Sequence, residues 1–495
     1  MPFAAFSAPA VDFHAFGPEI VLVLTLAVLL FVDLVYEDRG RWATSTIAGV
    51  GLLASVVPVL TLAVDGADRS LFGGAYVVDN FALVLKALFL VAGYVTVLIS
   101  TDYVGEGDYY EGEYYFLLLS SLLGMTIMAS SRDLLSIFVA LELLSIPAYL
   151  LAGWRKRDLR GNEASLKYYL LGVFASSVML YGMSLVFGVS GSTVLSEIAK
   201  AVATGESSAP VVTVGIVFVV VGFAFKVSAV PFHTWAPDTY QGAPTPITAF
   251  LSVASKAAGF VALMQLVFVG FLGRSDVWAP MFWVLAAITM TVGNLIALRQ
   301  TNIVRLLAYS SVAQAGFMLA PFAVASELPG PDGVGTAVGA VVTYLLIYAA
   351  MNLGAFAVVM AVARKTRSGE IGSYGGLFEY APGLTVLMSV FLFALAGVPP
   401  LGGWYAKFVV FKTLLDAGSF AAVTLAVIAV VNSVIALFYY AAVAREMWMS
   451  PVPDGDTTPV RVPASLSASL ALCALATVAF GVAPNLIAHL GDLAR

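Results

Sequence analysis

The chain has 495 residues, 60% of them hydrophobic and only 11% charged, with a formal net charge of -6. A water-soluble globule of this size would lack the polar residues to cover its surface, so the composition points to a membrane protein. Its 24 lysines and arginines are too few and too scattered for a nucleic-acid footprint, which excludes that class of partner.

The first apolar run has its core at Ile20 to Val35, and no basic residue precedes it, the first being Arg39. A secretory signal needs a basic n-region, so this run is expected to stay as the first span. Similar runs recur to the end of the chain, among them Leu134 to Leu151 and Val211 to Phe225. About fourteen fit the roughly 20 residues that a crossing requires. The expected fold class is therefore an all-α polytopic membrane protein. Lys86 and Asp33 fall in the first three spans and read as lateral contacts to neighbouring subunits. The acidic joint Glu106 to Glu113 follows, and Tyr109, Tyr110, Tyr114 and Tyr115 beside it read as an interfacial aromatic belt.

The next spans carry charge. Glu142, in FVALELLSIPAYLLAG, is about ten residues from either end of its span and should lie near mid-membrane. Lys167, in GNEASLKYYLLG, is only about a turn into its span, and reads either as a relay member or as a lysine extending to the interface. In FAFKVSAVPFHTWAPDTYQG, Lys226 is followed by Pro231 and His233. Proline frees backbone groups that lipid cannot satisfy, so this span should break where it faces protein or water. His233 either bridges lysines through water or donates to freed carbonyls. Asp238 reads as a cap. Lys256, in FLSVASKAAGF, is again deep; Arg299 and Arg305 read as interfacial anchors. A second interrupted span, FLFALAGVPPLGGWYAKFVVF, contains Gly397, Pro399, Pro400, Gly402 and Gly403 and ends near Lys407.

Two broken spans at corresponding places in two halves are the signature of inverted repeats whose ion sites lie at the breaks. The expected organisation is three spans over residues 1–114, a first five-helix repeat over 115–272 broken around 226–237, a second over 277–446 broken around 397–403, and a last span over 464–488. Alternating the spans gathers most basic residues, from Arg41 and Arg155 to Arg445 and Arg461, on one face. By the positive-inside bias that face is cytoplasmic and both termini are outside, including Arg495.

A charge at the centre of a membrane helix costs roughly 2.5–3.5 kcal/mol on insertion scales, so several in one chain call for a purpose. Each is open to a plainer reading as half of a buried ion pair. Burial disfavours a charged lysine and a nearby carboxylate favours it, so small displacements can switch protonation, as a proton relay needs. On this reading Glu142 and Lys226 form the switchable pair, Lys256 receives the proton onward, and Lys407 passes it toward the outer face. The single cysteine, Cys473, and the three histidines, His14, His233 and His489, offer no ligand set for an iron–sulfur cluster, a zinc site or a bis-histidine haem. No glycine-rich phosphate loop is present for NAD. No cofactor or metal is expected in this chain.

The stretches ALELLSIPAYLLAG with NEASLKYYLLG, FKVSAVPFHTWAPDTYQGAPTPITAFLSVASKAAGF, NLIALRQTNIVRLLAYSS, TYLLIYAAMNLGAF and GVPPLGGWYAKFVVFK together resemble the antiporter-like membrane subunits of respiratory complex I, the NADH:quinone oxidoreductase. The likeness covers most of residues 130–440. It implies fourteen helices with two inverted five-helix repeats, set beside other membrane-arm subunits in a bacterial or archaeal plasma membrane. It also implies a central polar axis at Glu142, Lys167, Lys226, His233, Lys256 and Lys407 that carries protons, while NADH, FMN, iron–sulfur clusters and quinone belong to partner subunits. Gln314 stands where the family often has histidine, and Val304 where it often has a basic residue. The alternatives are a subunit of a multi-subunit cation/proton antiporter or of a related complex with another electron donor. A purely structural spacer has no use for Glu142 and the deep lysines. A sodium site wants several hard oxygen ligands, whereas the breaks carry lysines, which favours protons.

Overall fold

Polar joints that cap the ends of long apolar runs set the element boundaries. The computed structural model describes residues 11–36, 41–66, 68–107, 111–204, 209–330 and 332–494. The expectations attached to Arg39, Tyr109, Tyr110 and Arg495 lie outside the described residues. Helices α1 (Gly17–Tyr36) and α2 (Arg41–Asp65) pack together and lead into an antiparallel hairpin, β1 (Arg69–Leu71) and β2 (Tyr76–Val78), with Leu71 opposite Tyr76. The carboxylate of Asp79 accepts the Ala82 amide at 2.8 Å and starts α3 (Asn80–Gly105). Next come α4 (Glu111–Ser130), α5 (Leu134–Ala152) capped by Asp133, α6 (Leu159–Ser190) capped by Asp158, and the short α7 (Leu195–Thr204).

Helix α8 (Ala209–Lys226) stops at the first break and α9 (Trp235–Gly242) follows it. A continuous rod then runs from α10 (Thr245–Phe250) through a π-turn into α11 (Lys256–Gln265) and a second π-turn that ends at Gly270. After it come α12 (Ser275–Ala297), α13 (Ile303–Val324) capped by Asn302, α14 (Gly333–Thr366) and the one-turn α15 (Leu377–Tyr380). Helix α16 (Pro382–Ala396) stops at the second break, followed by α17 (Gly402–Ala417), α18 (Phe420–Met449), α19 (Ala464–Val482) and α20 (Asn485–Leu493). Among the described residues 12 helices are long and apolar enough to cross a membrane, and α8 and α16 are shorter apolar helices, each interrupted.

The rod 245–270 is wholly buried and α13 and α14 nearly so, whereas only about a third of α6, α18 and α19 is buried. The outward faces of those outer helices carry residues such as Phe174, Val434 and Leu475. An outer shell of that kind suits lipid, and the inner helices supply a protein-lined interior in which broken backbone is tolerated.

Each break has its freed backbone groups satisfied by side chains. At the first, Ser228 adopts a left-handed backbone, φ +61°. The Phe225 carbonyl accepts from the Trp235 indole at 2.9 Å, and the Val230 amide donates to the Thr289 hydroxyl at 2.9 Å. At the second, Gly397 closes α16 at φ +92°, a conformation only glycine adopts without strain. A side chain at Gly403 would collide with the Ala394 carbonyl, so the two half-helices approach closely only because that position is bare.

Two sequence expectations fail here. Tyr114 and Tyr115 are fully buried rather than interfacial: their rings meet edge-on at 5.2 Å, and Tyr114 packs against Trp154. Being tyrosines at a helix start was compatible with either placement, and the packing of α4 against α3 and α5 decides it. Lys86 is not a lateral contact either, since it is completely buried and ion-paired with Glu19 at 2.8 Å. Asp33 keeps partial exposure, in a cleft between α1 and α4 lined by Leu29, Gly112, Glu113 and Phe116.

Candidate functional site

Glu142 is the ninth residue of the 19-residue α5, which places it at mid-helix. Its Oε1 is buried and has no hydrogen-bond partner. Lys226, at the inner end of α8, is buried and donates to the Ser145 hydroxyl at 2.8 Å and more loosely to the Tyr168 hydroxyl at 3.4 Å. Ser145 stands one turn beyond Glu142 on the same helix, so a hydroxyl intervenes between carboxylate and lysine. The direct Glu142–Lys226 ion pair expected from the sequence is absent among the described residues. The two still act on each other electrostatically. Tyr168 is held in place by a stack on Trp235 at 4.5 Å, the same ring whose indole caps the break.

Lys256 opens α11 directly after the π-turn, is buried, and donates to both the carbonyl (2.7 Å) and the hydroxyl of Ser311 on α13. A π-turn commonly marks a functional position in a helix, and here it aims a lysine across the core. One turn further along α13, the Gln314 amide donates to the Leu395 carbonyl at 3.0 Å, while Tyr344 donates to its oxygen. Lys407, on α17, reaches back across the second break to the Ala396 carbonyl at 2.8 Å and lies 4.8 Å from the ring centre of Phe317. Lys256 thus bonds Ser311 on α13, and Gln314 on the same helix and Lys407 bond adjacent carbonyls of α16.

His233 sits in the turn between α8 and α9, buried, its Nδ1 without a partner and its ring 6.3 Å from that of Tyr309. It interacts with the backbone of Pro231 in the break, as a donor to freed carbonyls would, while Trp235 meets the Phe225 carbonyl, and no bond from it to a lysine is seen among the described residues. The hydroxyls of Ser228, Tyr240 and Tyr348 are also buried and unpartnered. Buried polar atoms without well-aligned partners suit bound water, and Tyr240 and Tyr348 also interact with Ser311.

Lys167 does not join this line. It is exposed, paired with Glu163 at 2.7 Å and with Asp238 at 3.0 Å. Asp238, read from the sequence as a cap, also accepts from Arg305 at 2.9 Å, so it ties α6, α9 and α13 together. Arg305 is accordingly more than an interfacial anchor. Sequence reasoning missed the roles of Ser145, Ser311 and Tyr168. Serines recurring opposite the charged residues were the only available signal.

The family model described as "NADH:quinone oxidoreductase/Mrp antiporter, TM" matches residues 131–435, which include both breaks and all six candidate residues. The chain is 38% identical over 480 residues to the NADH-quinone oxidoreductase subunit N of Trichlorobacter lovleyi, covering 96% of each. A chain of respiratory complex I from Thermus thermophilus shares the fold at a TM-score of 0.78 and 31% identity, with 95% of this chain and 98% of that chain covered. A chain of the Mrp complex from Dietzia has the same fold at a TM-score of 0.83 and 21% identity, over 98% of this chain and 97% of the other.

Proposed function

Because the chain belongs to the NADH:quinone oxidoreductase/Mrp antiporter family of membrane subunits, we propose that it is the N-type membrane-arm subunit of an NADH:quinone oxidoreductase and translocates protons along Glu142, Lys226, Lys256 and Lys407. The observation that carries this reading is the row of three buried lysines strung across the innermost helices, each bonded to neutral oxygens rather than to a carboxylate. A lysine bonded only to hydroxyls and carbonyls can give up its proton without leaving an orphaned acidic partner.

The steps follow from the contacts. A proton on Lys226 is favoured while the Glu142 charge is near and disfavoured when that charge is neutralised or displaced. The proton then passes through hydroxyls and water to Lys256, and by way of Ser311 and Gln314 to Lys407. His233 and its unpartnered Nδ1 stand beside this route as a water-held member. Lys167, paired with Asp238 at the interface, belongs to the entrance rather than to the axis.

The two breaks also support the inverted-repeat reading, with the first unit at about residues 115–272 and the second at about 277–446. Helix α4 packs on α5 as α12 packs on α13, and α6 meets α8 and α9 as α14 meets α16 and α17. Counting each broken segment as one crossing gives fourteen, with both termini on the outer side of a bacterial membrane. NADH, FMN, iron–sulfur clusters and quinone are assigned to partner subunits, so this chain contributes vectorial rather than redox chemistry.

Cation/proton antiport is the second reading, favoured by the fold shared with the Mrp chain. Against a sodium site, the freed carbonyls at the second break are occupied by Gln314 and Lys407 instead of converging on a vacant position. The deciding variant is Glu142→Gln in an otherwise assembled complex. Proton pumping and coupled quinone reduction are both expected to fall, and wild-type pumping would remove Glu142 from the relay.

A further inference from the structure

The first three helices contain a second buried charge site, away from the central axis. Glu19, in the first turn of α1, is 5% exposed and Lys86, on α3, is fully buried. Their ion-pair contact is 2.8 Å from Lys86 Nζ to Glu19 Oε1. Neither Glu19 oxygen has a well-aligned hydrogen bond among the described residues, although the carboxylate also acts on the Tyr76 hydroxyl. Lys86 instead donates to the Tyr76 hydroxyl at 2.9 Å. The Tyr76 ring stacks on Phe16 at 4.3 Å and covers the pair.

Removing one partner of a buried pair is costly, and replacing both by apolar residues is often neutral, so adhesion alone is a weak reason to keep such a pair. A carboxylate with an unfilled oxygen is chemically incomplete. It has room for a proton or a water, and the surrounding groups extend the same deficit toward the protein interior. Ser130, at the end of α4, has a buried hydroxyl without a hydrogen-bond partner, and it interacts with Tyr76. Next to it, Gln265 on α11 donates to the carbonyls of Met128 (3.0 Å) and Ala129 (2.9 Å), leaving its own Oε1 buried and unpartnered. Gln265 stands on the same helix as Lys256, about 13 Å along the axis at 1.5 Å per residue.

We infer that Glu19 and Lys86, with Tyr76 and Ser130, form a proton-release station that receives protons from Lys256 by way of water held at Gln265, as a branch beside the onward step to Lys407. This rests on the proton-translocating reading above. The transfer is balanced: the Lys256 ammonium becomes a neutral amine, and Glu19 takes the proton at Oε2 to become a neutral acid. Glu19 later gives it to water at the nearby face. The Lys86 ammonium, 2.8 Å from Glu19 Oε1, favours the return of Glu19 to carboxylate. Residues 17, 80, 130 and 270 all end helices at this face, so the path is short. Other charged side chains at this face form ion pairs of their own. Asp12 pairs with Arg69 at 2.8 Å, Asp79 with Arg132 at 2.8 Å, and His14 with Asp65 at 3.4 Å, and all are partly exposed. The Asp12 carboxyl is held below its usual range, chiefly by the Ala15 amide, with Arg69 assisting against the opposing effect of burial.

The test uses the complete complex in proteoliposomes, reading protons moved per NADH oxidised and the carboxyl signal in redox-induced infrared difference spectra. Glu19→Gln and the neutral pair Glu19→Gln/Lys86→Met are compared with wild type, and native gels report assembly. The expected result is a several-fold loss of protons per NADH in both variants, with one carboxyl signal gone. A neutral-pair complex that pumps at the wild-type ratio overturns the proposal. Where loss of the pair prevents assembly, Glu19→Asp decides: an unshifted carboxyl signal with unchanged pumping overturns it equally. Glu142→Gln is measured beside these variants. If that variant fails to pump while the Glu19 variants are normal, only the release station is wrong. If Glu142→Gln pumps normally, the relay itself is wrong.

Discussion

At the first break the Phe225 carbonyl is taken by Trp235 and the Val230 amide by Thr289, so Lys226 is left to bond hydroxyls, those of Ser145 and Tyr168. At the second, the carbonyls of Leu395 and Ala396 are taken by Gln314 and by Lys407 itself. Both breaks use side chains to meet backbone groups that the interrupted helices free, as a membrane interior demands. They differ in whether the lysine is part of the solution. In the first half of the molecule, charge and backbone are only loosely linked: Lys226 reaches the break through Tyr168, which stacks on Trp235, so losing its proton should disturb the break little. In the second half they are coupled. A charged donor makes a hydrogen bond roughly twice as strong as a neutral one, so a proton leaving Lys407 loosens the contact that holds α16 to α17. Protonation there is linked to backbone conformation, as a gate requires.

The largest effect is expected where the lysine has a chemical role alone. Lys226→Met should leave the complex assembled while lowering coupled turnover about tenfold or more, toward the range seen for loss of a proton-transferring group. Proton pumping and native-gel abundance, measured on the same membranes, check both halves of that statement. Loss of the assembled complex would mean that Lys226 supports the break after all.

Lys407→Met should do both kinds of damage. It removes the charged donor from the Ala396 carbonyl, at a cost of about 1.5–3 kcal/mol for a hydrogen bond to a charged group. Reduced turnover should therefore come with earlier heat inactivation and less assembled complex. Equal heat resistance of the Lys226 and Lys407 variants would erase the contrast between the breaks. Trp235→Phe sharpens it from the other side. An aromatic ring facing Tyr168 is kept, but the Phe225 carbonyl loses the indole donor and retains only the Ser228 amide at 3.0 Å, at a net cost of about 0.5–1.5 kcal/mol for one hydrogen bond. The expected outcome is lowered heat resistance with turnover less affected than in Lys226→Met.

Much of this arrangement was legible in the sequence because membrane interiors punish exceptions. A proline or glycine pair in an apolar run, or a lysine at mid-span, stands out against a background that excludes it, and every deep charge expected on the axis is indeed buried or half-buried. Pairings between distant segments were not legible. Glu19 sits at a helix start, where an acidic residue is ordinary, and nothing local ties it to Lys86, which is 67 residues away. Asp238 has the local appearance of a cap, yet its partners Lys167 and Arg305 come from α6 and α13. Gln314 looked like a loss of function at a position where related chains often have a histidine. In the structure its amide donates to the Leu395 carbonyl at the second break and accepts from Tyr344, without carrying charge.

The smallest effect is expected at Lys167, the one candidate on the surface. Its ammonium is shared between Glu163 and Asp238, and all three side chains are at least a third exposed. Exposed pairs contribute little because water already solvates both charges and salt screens them. Asp238 also keeps Arg305 when Lys167 is removed, so α9 stays tied to α13. Lys167→Ala should therefore retain assembly and most of its turnover, well above the level of Lys226→Met, with a deficit that shrinks further as ionic strength rises. Parallel turnover measurements of the two variants at low and high salt test this ordering. A Lys167 variant as damaged as Lys226→Met would place the entrance pair on the obligatory path, because lost stability at so exposed a site is too small to explain it.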